Sequence, residues 1–221
     1  MATGYSQTTG PKELEEIKKA VEDERYFKSE KAGRVIKKDI TEDYYADLLK
    51  RVDIKKKFKV VVDSHYGTTG KYIVEILKRA GCDVIGKNLE IDGSFPAGTP
   101  DPIDEKLMKT LAEEVLKEKA DLGFAFDGDG DRIGAVDEKG RILWSDILVA
   151  IFAKEILERF PGSKIVYNTL CSQAGREVVR QSGGVPIIWR VGHTFIKMKI
   201  ASEGAAFGGE LSGHFFFADN A

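Results

Sequence analysis

Cysteine is scarce in this chain: two residues, Cys82 and Cys171, in 221. Two distant cysteines do not make a disulfide framework, so the fold must rest on its core, and a reducing, cytoplasmic setting is expected. An excess of basic charge is also missing. Lys and Arg number 34 against 36 Asp and Glu, for a formal net charge of −2. That balance argues against a nucleic-acid partner, and local runs such as Lys55-Lys56-Lys57 read as solvated faces. No apolar run approaches the roughly 20 residues that cross a bilayer, so no membrane partner is expected. MATGYSQTTGPKE at the start lacks the basic-then-apolar order of a signal peptide. No internal repeat of fixed period is present.

What remains is an ordinary soluble composition, 42% hydrophobic and 32% charged, in a chain long enough for two small cores. Leu14, Ile17 and Val21 recur at helical spacing in a helix expected from Pro11 to Phe27. A basic piece, Gly33 to Lys38, reads as strand-like, and a helix follows from Thr41 to Val52, capped by Thr41 or Asp39. Then the rhythm becomes β-α-β. Phe58 to Asp63 is a strand, SHYGTTG turns it into a helix (Lys71 to Ala80), Gly81 ends that helix, and Asp83 to Ile85 is a second strand. After the proline-containing loop FPAGTPDP come a helix (Asp104 to Lys119) and strands at Asp121 to Phe126 and Ile133 to Val136. The alternation restarts beyond DEKG: helix Ser145 to Phe160, strand Lys164 to Asn168, helix Ala174 to Gln181, strand Val185 to Trp189, helix His193 to Glu203, and a last strand at His214 to Phe217. The expected class is α/β: two consecutive small α/β domains, each a mixed, mostly parallel sheet flanked by helices. The expected division is a helical lead-in over 1–38, one domain over 39–141, and a second over 142–221, which stops short at its C-terminal end.

The chemistry concentrates in FAFDGDGDRIGAVD, Phe124 to Asp137. In extended chain, residues two apart point the same way, so Asp127, Asp129 and Asp131 can converge, with Gly128 and Gly130 leaving room for unusual backbone angles. Three clustered carboxylates repel unless a cation lies among them, and an all-oxygen set suits a hard divalent ion, magnesium or calcium. Two other readings compete. An EF-hand loop fits Asp127, Asp129, Asp131 and Glu138, but it needs glycine where Arg132 stands, and the flanks are strands. A plain Asp-Gly hairpin tip would explain one such pair more readily than a register of acids followed by arginine. Arg132 carries a permanent charge on a planar fork that matches phosphate oxygens, or pairs with its own aspartates. A second cluster is GGELSGH, where Glu210 and Ser212 sit two apart, a carboxylate and a hydroxyl suited to vicinal sugar hydroxyls; a polar β-turn is the simpler reading. His193 opens a helix, where it can meet an anion or carry a proton. His65 reads as structural, His214 as support for its own loop, and SHYGTTG as a strand-to-helix turn.

Together, DGDGDR (127–132), VGHTFIK (191–197) and GELSGH (209–214) resemble, in order and spacing, the α-D-phosphohexomutase family, which includes phosphomannomutase and phosphoglucomutase. The resemblance runs from about Lys55 to Ala221, with the PDP of Pro100 to Pro102 also fitting. It implies a four-domain enzyme of which this chain carries the second and third domains, behind the tail of a first. Its reaction moves a phosphoryl group between the C1 and C6 oxygens of a hexose through a phosphoserine and a bisphosphorylated sugar. It implies Mg2+ on Asp127, Asp129 and Asp131, with the phosphoserine as a further ligand. Arg132 and His193 would be catalytic, and Gly192, Glu210 and Ser212 would bind the hexose phosphate. Three departures stand out. A T-A-S-H-N-P-like serine loop is absent, since Ser64-His65 lacks the Asn-Pro. The fourth, phosphate-binding domain is absent too, and Leu170 stands where the family often has lysine. The fragment alone is therefore expected to be inactive. The alternative from another class is a non-catalytic calcium-binding or sugar-phosphate-binding α/β module.

Overall fold

A computed structural model describes residues 2–3, 7–8, 10–27 and 29–218. The elements, in chain order, begin with a minimal antiparallel pair, β1 (Ala2–Thr3) and β2 (Gln7–Thr8), and two helices, α1 (Pro11–Glu22) and α2 (Thr41–Leu49). Then come β3 (Lys59–Asp63), α3 (Gly70–Arg79), β4 (Asp83–Lys87), α4 (Glu105–Glu118), β5 (Leu122–Phe126), β6 (Ile133–Asp137) and β7 (Ile142–Leu143). The second half holds α5 (Ser145–Arg159), β8 (Lys164–Asn168), α6 (Gln173–Gln181), β9 (Val185–Trp189), α7 (His193–Glu203), β10 (Phe207–Gly209) and β11 (Phe215–Phe217).

The first sheet runs β4-β3-β5-β6-β7, with β3, β4 and β5 parallel and β6 and β7 antiparallel to their neighbours. The three buried valines of β3 show why the chain alternates. Val61 packs with Met108, Leu111 and Val115 of α4, while Val60 and Val62 pack with Val74 of α3 on the other face. Side chains of period two thus feed two helical layers. α4 starts at Asp104, whose carboxylate accepts the Leu107 amide at 3.0 Å, and ends at Lys119 with a left-handed backbone (φ +51°).

The second sheet runs β11-β10-β8-β9, parallel except for β11. Val149, Ala153 and Leu157 of α5 and Val179 of α6 cover Ile165, Tyr167 and Phe207 on one face. Ile196 and Ile200 of α7 cover Val166 on the other. Phe152 closes one end edge-on to Phe215, with ring centroids 5.1 Å apart. Two mixed, mostly parallel sheets between helices are therefore the architecture.

Four local expectations differ. Residues 33–38 form no strand: Val35 and Ile36 are exposed and pair with no sheet edge. α1 ends at Glu22 rather than Phe27, and none of its residues is buried. β7, which falls in the expected connection, adds an edge to the first sheet through Ala135↔Leu143 and Val136↔Ile142. The N-cap of α2 is Ile40, neither Thr41 nor Asp39, although Asp39 one residue upstream accepts the Thr41 amide at 2.9 Å.

Candidate functional site

The acidic loop is the tip of the β5–β6 hairpin. The last ladder pair is Phe126↔Ile133, so residues 127–132 close the connection. Gly130 takes φ +74°, a value open to glycine at little cost, and a Cβ there would overlap Thr69. The three carboxylates come together: one oxygen from each of Asp127, Asp129 and Asp131 lies within 4.8 Å of the others, the one such metal-competent group among the described residues. Asp127 is buried, whereas Asp129 and Asp131 are exposed.

Arg132 answers only part of that charge. Its amide donates to Asp127 Oδ1 at 3.0 Å and its Nε to Asp127 Oδ2 at 2.8 Å. Nη1 reaches Asp101 at 3.0 Å. Burial pushes the Asp127 carboxyl up, but Arg132 outweighs it and holds the group below the usual carboxylate range. Asp129 goes the other way, raised by burial and then by the charges of Asp131 and Asp127. The loop therefore keeps uncompensated negative charge on its open side, the condition a hard divalent cation relieves.

The second constellation meets the first directly. The Ile133 amide donates to the Gly213 carbonyl at 3.2 Å, and Gly213 takes φ +97° where a Cβ would press on Ile133 O at 3.0 Å. His214 spans the junction. Its Nε2 is 3.3 Å from Asp131 Oδ2, and its Nδ1 is 2.8 Å from Ser212 Oγ and 3.6 Å from Glu210 Oε2. Glu210 is buried, and its Oε1 accepts the Gly192 amide at 2.8 Å and Asn168 Nδ2 at 3.4 Å. Gly192, at φ +122°, is the N-cap of α7. His193 follows, exposed, stacked on His214 at 5.7 Å between centroids. The eight residues expected to hold metal, substrate or catalytic roles thus gather in one chain of contacts from Asp127 to His193.

Sequence reasoning missed the joints. His214 is more than support for its own loop: it links the acidic loop to the glutamate–serine loop. Asp101, the middle of the PDP motif, fixes Arg132. Asn168, at the end of β8, steadies Glu210. The PDP motif was a visible signal for Asp101; the other two are long-range contacts with no local mark. Leu170 is exposed, and only its amide is engaged, by Asn168 Oδ1 at 3.2 Å.

Residues 42–140 match the family description phosphoglucomutase/phosphomannomutase, alpha/beta/alpha domain II, and residues 144–221 match domain III of the same family. A phosphomannomutase/phosphoglucomutase of Pseudomonas putida is 38% identical over 187 residues, 85% of this chain and 40% of its own length. A phosphomannomutase of Methanocaldococcus jannaschii is 42% identical over 184 residues, covering 83% and 41%. The crystal structure of a phosphoglucomutase/phosphomannomutase family protein from Burkholderia thailandensis superposes with a TM-score of 0.90 at 33% identity, over 95% of this chain and 45% of that one. The chain thus spans less than half the length of the relatives it matches.

Proposed function

Since this chain belongs to the phosphoglucomutase/phosphomannomutase family and carries its domains II and III, we propose that it is the metal- and sugar-binding part of a phosphohexomutase. The parent enzyme moves a phosphoryl group between the C1 and C6 oxygens of a hexose phosphate, through a phosphoserine and a bisphosphorylated sugar. The serine loop and the phosphate-binding fourth domain belong to the rest of that enzyme, and the fragment alone does not turn over. Two buried free cysteines accord with a reducing cytoplasm.

Asp127, Asp129 and Asp131 hold Mg2+, which when bound supplies positive charge against the transferring phosphoryl oxygens. Arg132 orients Asp127 and adds a second, permanent charge beside that group. His193, exposed at the start of α7, meets the substrate as binder or proton carrier. Ser212 and the Oε2 edge of Glu210 take the sugar hydroxyls, and the Gly192 amide holds Glu210 in place. The observation that supports this reading most is the His214 bridge, which puts Asp131 and Glu210 at opposite ends of one imidazole.

Calorimetric titration with glucose 1-phosphate and mannose 1-phosphate, in Mg2+, tests it. Binding is expected in the wild-type chain and weakened by Ser212→Ala and His193→Ala. Equal affinity in all three proteins would remove the substrate assignment.

A further inference from the structure

The β3–α3 turn, SHYGTTG, is not part of the site described above, yet its backbone is unusual. His65 and Tyr66 both take left-handed angles, φ +46° and +63°, although neither is glycine. Consecutive residues of this kind are costly and persist only where surrounding contacts impose them. Those contacts are polar and centre on the buried Asp63 and His65. The Asp63 carboxylate accepts the His65 amide at 2.9 Å and both hydrogen bonds of Asn88 Nδ2, at 2.9 and 3.1 Å. The Tyr66 amide then donates to Asn88 O at 2.8 Å.

The bent turn lies against the acidic loop. Gly67 faces its main chain so closely that a Cβ would sit 2.8 Å from Gly128 O and 2.9 Å from Asp127 O. Thr68 donates twice to one acceptor: its amide reaches Gly128 O at 2.9 Å and its Oγ1 reaches the same oxygen at 3.2 Å. Thr69 fills the space beside Gly130. Both glycines that separate the three carboxylates therefore rest on this turn. The hairpin ladder stops at Phe126↔Ile133, so the backbone that aims Asp127 and Asp129 is held from this side by the turn.

We infer that Gly67 and Thr68 are positioning residues for the metal loop: they fix the Gly128 peptide and so set the affinity of the three carboxylates for a divalent cation. This rests on the metal reading of Asp127, Asp129 and Asp131. The half-buried Asp63–Asn88 pair holds the turn in its left-handed path so that two donors converge on a single carbonyl. A metal site gains affinity when its ligands are fixed before the ion arrives, and loses it when they must be ordered on binding.

Mn2+ binding to the full chain, followed by electron paramagnetic resonance of the free ion, tests this beside thermal unfolding. Thr68→Val removes one hydrogen bond and should weaken Mn2+ about fivefold, whereas Thr68→Ser keeps the hydroxyl and should restore it. Gly67→Ala forces the loop aside and should weaken binding at least about tenfold. Val60→Ala, on the core-facing side of β3, should lower the melting temperature without changing the affinity of the folded protein. Mn2+ binding within twofold of wild type in both Gly67→Ala and Thr68→Val overturns the inference while leaving the metal site standing. So does a Thr68→Ser variant as weak as Thr68→Val, or a Val60→Ala variant as weak as Gly67→Ala. No Mn2+ binding by the wild-type chain, or undiminished binding by Asp129→Ala, overturns the metal reading itself and this inference with it.

Discussion

Replacing Arg132 with methionine isolates the electrostatics of the acidic loop. Methionine keeps most of the side-chain length and removes the charge. Asp127 is nearly enclosed, with 3% of its side chain exposed, and Arg132 Nε lies 2.8 Å from its Oδ2. Removing one partner of a buried pair costs about 3–5 kcal/mol, because the other charge is left without compensation. Arg132 is itself 26% exposed, and the Arg132 amide still donates to Asp127, so the lower end, about 3 kcal/mol, applies here. The loss depends on pH. In the wild-type chain the Asp127 carboxyl is held below its ordinary value, with burial outweighed by Arg132. Its stabilisation is therefore fully present above the unfolded-state pKa and is lost as pH falls through the folded value. Without the Arg132 side chain, only the residue-132 amide and the hydrogen bond with Asp129 still oppose burial, and the folded pKa rises. That change destabilises the protein at neutral pH and fades as the carboxyl protonates. Urea unfolding from pH 7 to pH 4 should show the deficit of Arg132→Met largest at pH 7 and narrowing toward pH 4. Saturating Mg2+ should recover part of it, because a cation among the carboxylates replaces the missing charge. A deficit under about 1 kcal/mol at pH 7, or one that widens on acidification, would refute the argument.

Two other groups give independent tests. Burial pushes the Cys171 thiol up to about 11, so Ellman's reagent at pH 8 should leave it unmodified in the folded chain and label it only on unfolding; rapid native labelling of Cys171 would contradict its place in the core. Lys199 and Lys164 draw the Glu203 carboxyl from 4.5 down to about 2. Its stabilisation is therefore complete above pH 4.5 and lost between there and pH 2, and Glu203→Gln should flatten the acid limb of the stability curve in that window.

Much of the fold follows from local signals. Strands β8 and β9 and helix α7 stand where the sequence places them, because Pro161-Gly162, Gly183-Gly184 and Gly204 break the chain around each one. The errors come from context that no local pattern carries. Residues 33–38 have strand-like composition, but no sheet offers them an edge. β7 is two residues long and exists only because β6 leaves its outer edge open. The candidate site divides the same way. Asp127, Asp129 and Asp131 are legible because their convergence is a matter of spacing within one loop. The contacts of His214 with Asp131 and of Arg132 with Asp101 join residues 83 and 31 positions apart, and no periodicity predicts them. The left-handed His65-Tyr66 turn was hidden for a further reason: histidine visits such a backbone more readily than most residues, but tyrosine does not, and no glycine stands at either position.

The central claim is that three glycine-spaced carboxylates hold a divalent ion facing the Glu210–Ser212 loop. Crystals grown with Mn2+, which takes the same oxygen ligands as Mg2+ and scatters anomalously, test it most directly. The account predicts one anomalous peak about 2.0–2.2 Å from an oxygen of each of Asp127, Asp129 and Asp131, on the side of the loop that His214 faces. An ordered loop with no peak, or with the ion bound elsewhere and the three carboxylates turned apart, would contradict it.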